Sequence, residues 1–430
     1  MIPERTVHKA SGRDLSLWQR AQSRLRHLHS GFWTLYASSF LIDLGLCLYL
    51  FMFSLFLVEH HFTERVIGYI TAALTIGTLA GTVPSSLLAK RLGLRTMLVV
   101  YIIAVPLCFA SRVFLLQMPA QLWLAFLSGM AMSIWSVCFS PTLAKLTTHE
   151  NRAFGFSIFV ATGIGASALA GLLGGYLPDQ FQRLGRAGSQ VDGIRIVLLL
   201  ACIILALALF TILKLHLRLD ETGQTSGKVF SGFLLRFLVA IAVWNFALNF
   251  FTPFANVYLS RHLGLPVTRI GAIFSSSQLM QVAVILMAPL LYRRVGLVTG
   301  LAITQLATAS LLWGLSRASG LTIAPYIYLL LASVQWTAGP GIASLLMNRT
   351  PEKHRSQATA IQNIVNLATQ AGSAALAGKL FEQYGYSRPL AANAGIAVLA
   401  AVLLYTLLGR NNRNHRMAQT VLMESSEVRP

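Results

Sequence analysis

The sequence predicts an all-α membrane protein of twelve transmembrane helices in two pseudo-symmetric six-helix bundles. Three observations lead there: a scarcity of charge, a regular series of long apolar runs, and an internal repeat. Of 430 residues only 11% are Asp, Glu, Lys or Arg, while 55% are hydrophobic. Soluble domains carry about 25% charged residues. The mean hydropathy is +0.64. Such a chain is neither disordered, nor collagenous, nor a secreted disulfide scaffold, nor a soluble enzyme.

A spanning helix needs about 20 mostly apolar residues. Twelve runs qualify: 33–58, 66–89, 96–117, 120–143, 154–176, 194–213, 235–258, 268–291, 298–315, 322–346, 357–381 and 389–408. The run at 298–315 is short and rich in Thr. Basic residues orient the series, because loops rich in Lys and Arg stay in the cytoplasm. With the N-terminus inside, cytoplasmic segments hold 24 of the 34 Lys and Arg residues. Both termini are therefore expected in the cytoplasm. The net charge of +20 has the same origin and does not point to nucleic acid. A bacterial inner membrane fits the short loops and the scarcity of lysine.

The chain divides into five parts. Residues 1–32 form a basic cytoplasmic segment without the apolar core of a signal peptide. Trp18, Ala21, Leu25 and Leu28 recur there at helical spacing with Arg20, Arg24 and Arg26 between them. That pattern suits an interfacial helix on anionic lipid, or a basic tail. Residues 33–213 make the first bundle and 214–232 a polar cytoplasmic linker. Residues 233–409 make the second bundle, and 410–430 form a cytoplasmic tail.

The bundles repeat one another. Ser86–Arg95 (SLLAKRLGLR) sits between helices two and three, and Pro289-Leu-Leu-Tyr-Arg293-Arg294-Val-Gly296-Leu297 between helices eight and nine, at an offset of 203. Ile67-Gly68 matches Ile270-Gly271, and Arg152 matches Arg355, at the same offset. Helix five carries Gly165-Ala-Ser-Ala-Leu-Ala-Gly171 and helix eleven Gly372-Ser-Ala-Ala-Leu-Ala-Gly378, at an offset of 207. Parallel repeats of this kind place substrate between the halves near the midplane.

On these motifs the chain resembles the major facilitator superfamily over about residues 31–410. In that family the loop after helix two reads G-x-x-x-D-R-x-G-R-R. Arg91, Gly93 and Arg95 match, whereas Ser86 replaces the first Gly and Lys90 the Asp. The loop Thr350-Pro-Glu-Lys-His-Arg355 is also similar to the family's. The resemblance makes Lys90, Arg91, Gly93, Arg95, Arg293, Arg294 and Gly296 a cytoplasmic gating loop and its repeat. Lys90 cannot accept a hydrogen bond and repels nearby Arg, so the family's usual carboxylate latch is not expected to carry over unchanged. Drug/proton antiporters of the family carry an Arg four residues before a Gly in helix four. Here Ala125 precedes Gly129. Their G-P-x-x-G-G in helix five reads Ala170-Gly-Leu-Leu-Gly-Gly175.

Asp43 is the sharpest functional signal. It lies near the middle of the first run, where a charge costs at least ~2.5 kcal/mol on insertion scales. It is the candidate for proton coupling or for meeting a substrate's positive charge; the alternative is a structural Asp bonded to a neighbouring helix. Arg112, toward the outer end of helix three, is expected to snorkel to the interface. Neutral polar and aromatic residues also fall within spans. Trp135, Asn245, Asn249, Gln335, Trp336, Gln362 and Asn366 are the substrate-cavity candidates. Asn256, Gln278 and Gln281 are further in-span amides, and such groups also serve as interhelical glue. Gly77, Gly81 and the glycines of helix five mark close helix approaches.

The four cysteines stand alone in separate runs, and no metal or redox spacing occurs. No nucleotide-binding fingerprint is present. The expected function is secondary active transport of a small organic molecule by alternating access, proton-coupled, with efflux favoured over uptake. An uncoupled facilitator, or a transporter-like scaffold or receptor, is the alternative. No enzyme activity, cofactor, metal or nucleic-acid partner is expected. The expected partners are substrate, membrane lipid and protons.

Overall fold

The computed structural model describes residues 30–148, 151–215, 231–318 and 320–409. The expected interfacial helix, nearly all of the linker and the tail lie outside the described residues. Six helices make the first half: α1 (Ser30–Glu59), α2 (Glu64–Leu92), α3 (Leu94–Phe114), α4 (Met118–Leu146), α5 (Arg152–Arg183) and α6 (Gln190–Ile212). Six more make the second: α7 (Gly232–Phe251, continued by short turns to His262), α8 (Val267–Val295), α9 (Leu297–Arg317), α10 (Ile323–Arg349), α11 (Arg355–Tyr384) and α12 (Ser387–Leu404). At 1.5 Å per residue even the shorter of these reach about 27 Å or more, close to the hydrocarbon thickness.

Among the described residues eleven helices are long and apolar enough to cross a membrane. The twelfth, α11, has the length but not the hydropathy. Its run of Gln357, Gln362, Asn363, Asn366 and Gln370 lowers the average, and the helix meets protein on two sides. It packs on α7 within its own half and on α2 of the other.

Within the first half, α1 packs on α5 and α6, α2 on α4, and α3 on α4 and α6. Within the second, α7 packs on α11 and α12, α8 on α10, and α9 on α10 and α12. Glycines set the closest approaches. A Cβ on Gly81 would stand 2.6 Å from Ser133 Oγ of α4, and one on Gly45 2.7 Å from the Ala201 carbonyl of α6.

The repeat is visible in backbone geometry. Gly93 and Gly296 close α2 and α8 with φ of 83° and 87° and the same ψ of 155°. Side chains rarely adopt that conformation, so both loops need glycine. Arg152 reaches back to the Ala144 carbonyl at 3.3 Å, and Arg355 to the Met347 carbonyl at 3.1 Å. The same offset of 203 holds where the halves meet. Gly68 of α2 packs on Ala374 and Gly378 of α11, and Gly271 of α8 packs on Gly171 and Gly175 of α5. This corrects the register read from the sequence. Gly378 is equivalent to Gly175, not to Gly171, because the equivalence follows the crossing points rather than the Gly-flanked string.

The halves touch through α2–α11 and α5–α8. Their contacts cluster at the end of the bundle opposite Ser30 and Gly409. We refer to the Ser30/Gly409 end as the proximal face and to the other as the distal face.

Candidate functional site

Two helices are interrupted at the centre of the second half. Pro340 has no N–H for the Trp336 carbonyl four residues earlier, and α10 tightens to a 3-10 turn at Gln335–Thr337. Tyr292 Oη donates to the neighbouring Thr337 carbonyl at 3.0 Å and so ties α8 to the interruption. Pro253 likewise accompanies a 3-10 turn at Thr252–Phe254 after α7. Interruptions of this kind at mid-span are where transporters build binding sites.

A cavity of about 260 Å³ lies against both interruptions. Thr252, Ala255 and Asn256 from the end of α7 line it, with Phe274, Gln278 and Gln281 of α8 and Tyr328, Ala332, Gln335 and Trp336 of α10. Gln335 lies about 18 Å along α10 from its start, near mid-membrane. Asn256 Nδ2 crosses to the first half, donating to the Phe51 carbonyl at 3.2 Å and to Ser54 Oγ at 3.1 Å. Phe274 meets Phe51 with ring centroids 4.9 Å apart.

The sequence candidates fall into three groups. Gln335 and Trp336 line the cavity. Asn245, Asn249 and Asn366 lie at the α7–α11 contact. Asn245 Nδ2 donates to Asn366 Oδ1, and Asn249 Nδ2 donates to the Asn245 carbonyl at 2.8 Å. Gln362 is half-buried one turn before Asn366. Asp43 and Trp135 belong to the first half. Ser39 Oγ donates to Asp43 Oδ2 at 3.3 Å, and a Cβ on Gly163 would stand 3.6 Å from the same oxygen. The Tyr101 hydroxyl, buried without a hydrogen-bond partner, lies within electrostatic reach of Asp43. The Tyr101 ring is 5.6 Å from that of Trp135.

Arg112 does not snorkel. It is 2% exposed, with its guanidinium 4.1 Å from the Phe53 ring centre. Its Nε donates to Gln121 Oε1 at 3.3 Å, while Gln121 Nε2 donates to the Arg112 and Leu115 carbonyls. Gln121 thus ties the α3–α4 turn to the guanidinium, which is why the side chain turns inward.

Opposite charges join the halves at the distal face. Glu64, nearly buried at the start of α2, accepts from Arg261 Nη1 at 3.0 Å and from Tyr386 Oη at 3.4 Å. Burial, then the Glu64 charge, hold the Tyr386 phenol well above its usual range, so it stays protonated as a donor. Arg261 Nη2 also donates to the Phe62 carbonyl at 3.0 Å, and Arg65 pairs with Glu382 at 3.4 Å. Sequence reasoning missed this network, because its members lie about 120 to 320 positions apart without a shared motif. At the proximal face Lys90, Arg91, Arg293 and Arg294 are exposed, and Arg95 donates to the Leu213 carbonyl. Among the described residues none of these five forms an ion pair.

Twelve helices in two related halves, sealed at one face around a mid-membrane cavity, define a polytopic membrane transporter. The model of the Major Facilitator Superfamily matches residues 35–368 and 232–421, and the chain belongs to that family. A search of curated proteins finds no sequence match. Among solved structures, the nucleoside transporter NupG is similar at 15% identity and TM-score 0.72, covering 88% of this chain and 99% of that one. A D-xylose-proton symporter is similar at 16% identity and TM-score 0.68, covering 87% and 97%. A bacterial homologue of the human lysosomal transporter Spinster, in an inward-facing state, is similar at 12% identity and TM-score 0.70, covering 90% and 96%. At these identities the likenesses establish the fold.

Proposed function

We propose that the protein is a proton-coupled secondary transporter that carries a small organic molecule by alternating access. The observation that carries this reading is the mid-membrane cavity at two helix interruptions, beneath a distal face where the halves are locked. Among the described residues Lys90, Arg91, Arg95, Arg293 and Arg294 of the proximal loops form no such ion pair. Applying the bias of basic loops toward the cytoplasm, the proximal face is cytoplasmic and this conformation faces inward. Rocking that parts the distal α2–α11 and α5–α8 crossings exposes the cavity to the other side. Glycine at positions 68, 175, 271 and 378 lets the backbones approach there.

Asp43 is the proton carrier in this reading. It is a carboxylate near the middle of α1, facing Gly163 of α5. Protonation removes the cost of carrying its charge through an occluded state. That a D-xylose-proton symporter has a similar fold is in keeping with this reading. The amides that line the cavity suit a polar metabolite and favour uptake over the efflux expected from the sequence.

The test is reconstitution of the full chain in liposomes with a pH-sensitive dye inside. An inward proton gradient should drive accumulation of a nucleoside or aldose from a small panel. Asp43→Asn should keep exchange of labelled for unlabelled substrate but lose accumulation against a gradient. Accumulation undiminished in Asp43→Asn overturns the assignment of Asp43 and leaves another coupling group; exchange without any accumulation in the wild type makes the protein a facilitator.

A further inference from the structure

The cavity is rich in hydrogen-bonding groups yet holds no charge. Asn256, Gln278, Gln281 and Gln335 supply four carboxamides, and Phe274 and Trp336 supply ring faces. No Asp, Glu, Lys, Arg or His lines it. Both bonds given by the Asn256 amide nitrogen go to α1, which leaves its Oδ1 as an acceptor. Among the described residues the side chains of Gln278, Gln281 and Gln335 have no hydrogen-bond partner within the protein. Each offers two donors and an acceptor to whatever fills the space. Gln335 is buried and Gln278 and Gln281 are half-buried, so an occupant that pairs with these amides gains hydrogen bonds in a site partly screened from water. An ionic occupant would lose its hydration and meet no opposite charge. Asp43 is not among the lining residues; it is held in the first half by Ser39 and lies against α5.

We infer that the cavity selects an uncharged molecule that combines a flat ring face with several hydroxyl or amide groups, and rejects the anionic and cationic forms of the same skeleton. The inference rests on the transporter reading for its physiological meaning, but its binding preference can be measured without transport. The amides read the polar edge, and Trp336 and Phe274 cover the face. Mismatch is penalised more strongly for a charge than for a lost hydroxyl, so charge discrimination exceeds discrimination among neutral rings.

The test is calorimetric titration of the full chain in detergent or nanodiscs with matched probes: a ribonucleoside against its 5′-monophosphate, and a hexose against its uronate and its amino form. At least one neutral probe should bind tenfold or more tightly than its charged counterparts. Gln335→Glu keeps side-chain size and adds a negative charge, so it should weaken the neutral probe and raise affinity for the amino sugar. Gln281→Glu should act in the same sense, which covers failure of either variant to fold. Equal or tighter binding of a charged form overturns the inference, as does the absence of binding by every neutral probe. Neutral preference without flux in liposomes leaves the inference standing and removes the transport reading. Flux of a charged probe does the reverse.

Discussion

Adding a single methyl group to the distal seal should unlock it. Gly68→Ala would place a Cβ 2.6 Å from the Ala374 carbonyl oxygen, 3.2 Å from the Gly378 Cα and 3.3 Å from Phe254 Cζ. Ordinary contact begins near 3.4 Å, and the first two atoms are backbone, so no rotamer change relieves the clash. The α2 and α11 backbones must part by most of an ångström. Overpacking of this kind costs about 1–3 kcal/mol. The intrinsic helix preference of Ala over Gly, about 1 kcal/mol, applies whether the seal is open or shut and cancels from the comparison. The open population should therefore rise about 5- to 150-fold. Hydrogen exchange of the first turns of α2 and the last turns of α11 reads this directly, since protection falls in proportion to opening. Gly372→Ala on α11 is the control, because a Cβ there meets nothing within 4 Å. It should leave the seal unchanged. Wild-type protection in Gly68→Ala would refute the reasoning, and an equal loss across α3 and α4 would mean general unfolding instead.

Three further outcomes follow from the same geometry. Glu64→Gln, Arg261→Gln and the double variant should show a coupling of about 0.5–3 kcal/mol in thermal denaturation, since the two side chains are in direct contact at 3.0 Å; additive effects would remove the pair from the seal. Gln121→Leu leaves the Arg112 Nε without its acceptor and should cost about 1–3 kcal/mol of stability, read by denaturation in detergent, without altering ligand affinity. Lys90→Asp supplies a carboxylate among Arg91, Arg95, Arg293 and Arg294 and should stabilise closure of the proximal face, seen as faster exchange in the distal segments; unchanged exchange would mean that these loops do not meet.

The twelve helices were legible because each needs a long apolar run, and the basic loops and Gly93/Gly296 punctuate them. The polar stripe of α11 was legible too, though its consequence, a helix that fails the hydropathy of a lipid-facing span, shows only once α2 and α7 are seen to flank it. The cavity was legible in part. Gln335 and Trp336 stood out as polar and aromatic residues within a span. Phe274, Tyr328 and Thr252 did not, because a ring or a small hydroxyl within an apolar helix looks the same whether it faces a core or a cavity. The Asn245–Asn366 bond joins two helices 121 positions apart, and pairing of that kind leaves no local trace. Arg112 turned inward for a reason that lies on the next helix: Gln121 cannot be seen as its partner until the α3–α4 turn is folded.

Alternating access requires the two halves to rock so that the distal crossings part as the proximal face closes. Its most direct test is a pair of inter-half distances in the full chain, with the four native cysteines replaced by alanine. Spin labels at Leu184 and Leu321 report the distal face, and labels at Leu92 and Val295 the proximal face; all four side chains are exposed. At rest the distal distance should be short and the proximal one long. On Lys90→Asp substitution or ligand addition, a population should appear in which the distal distance lengthens and the proximal one shortens together. Distances that stay fixed, or that change in the same sense at both faces, would contradict it.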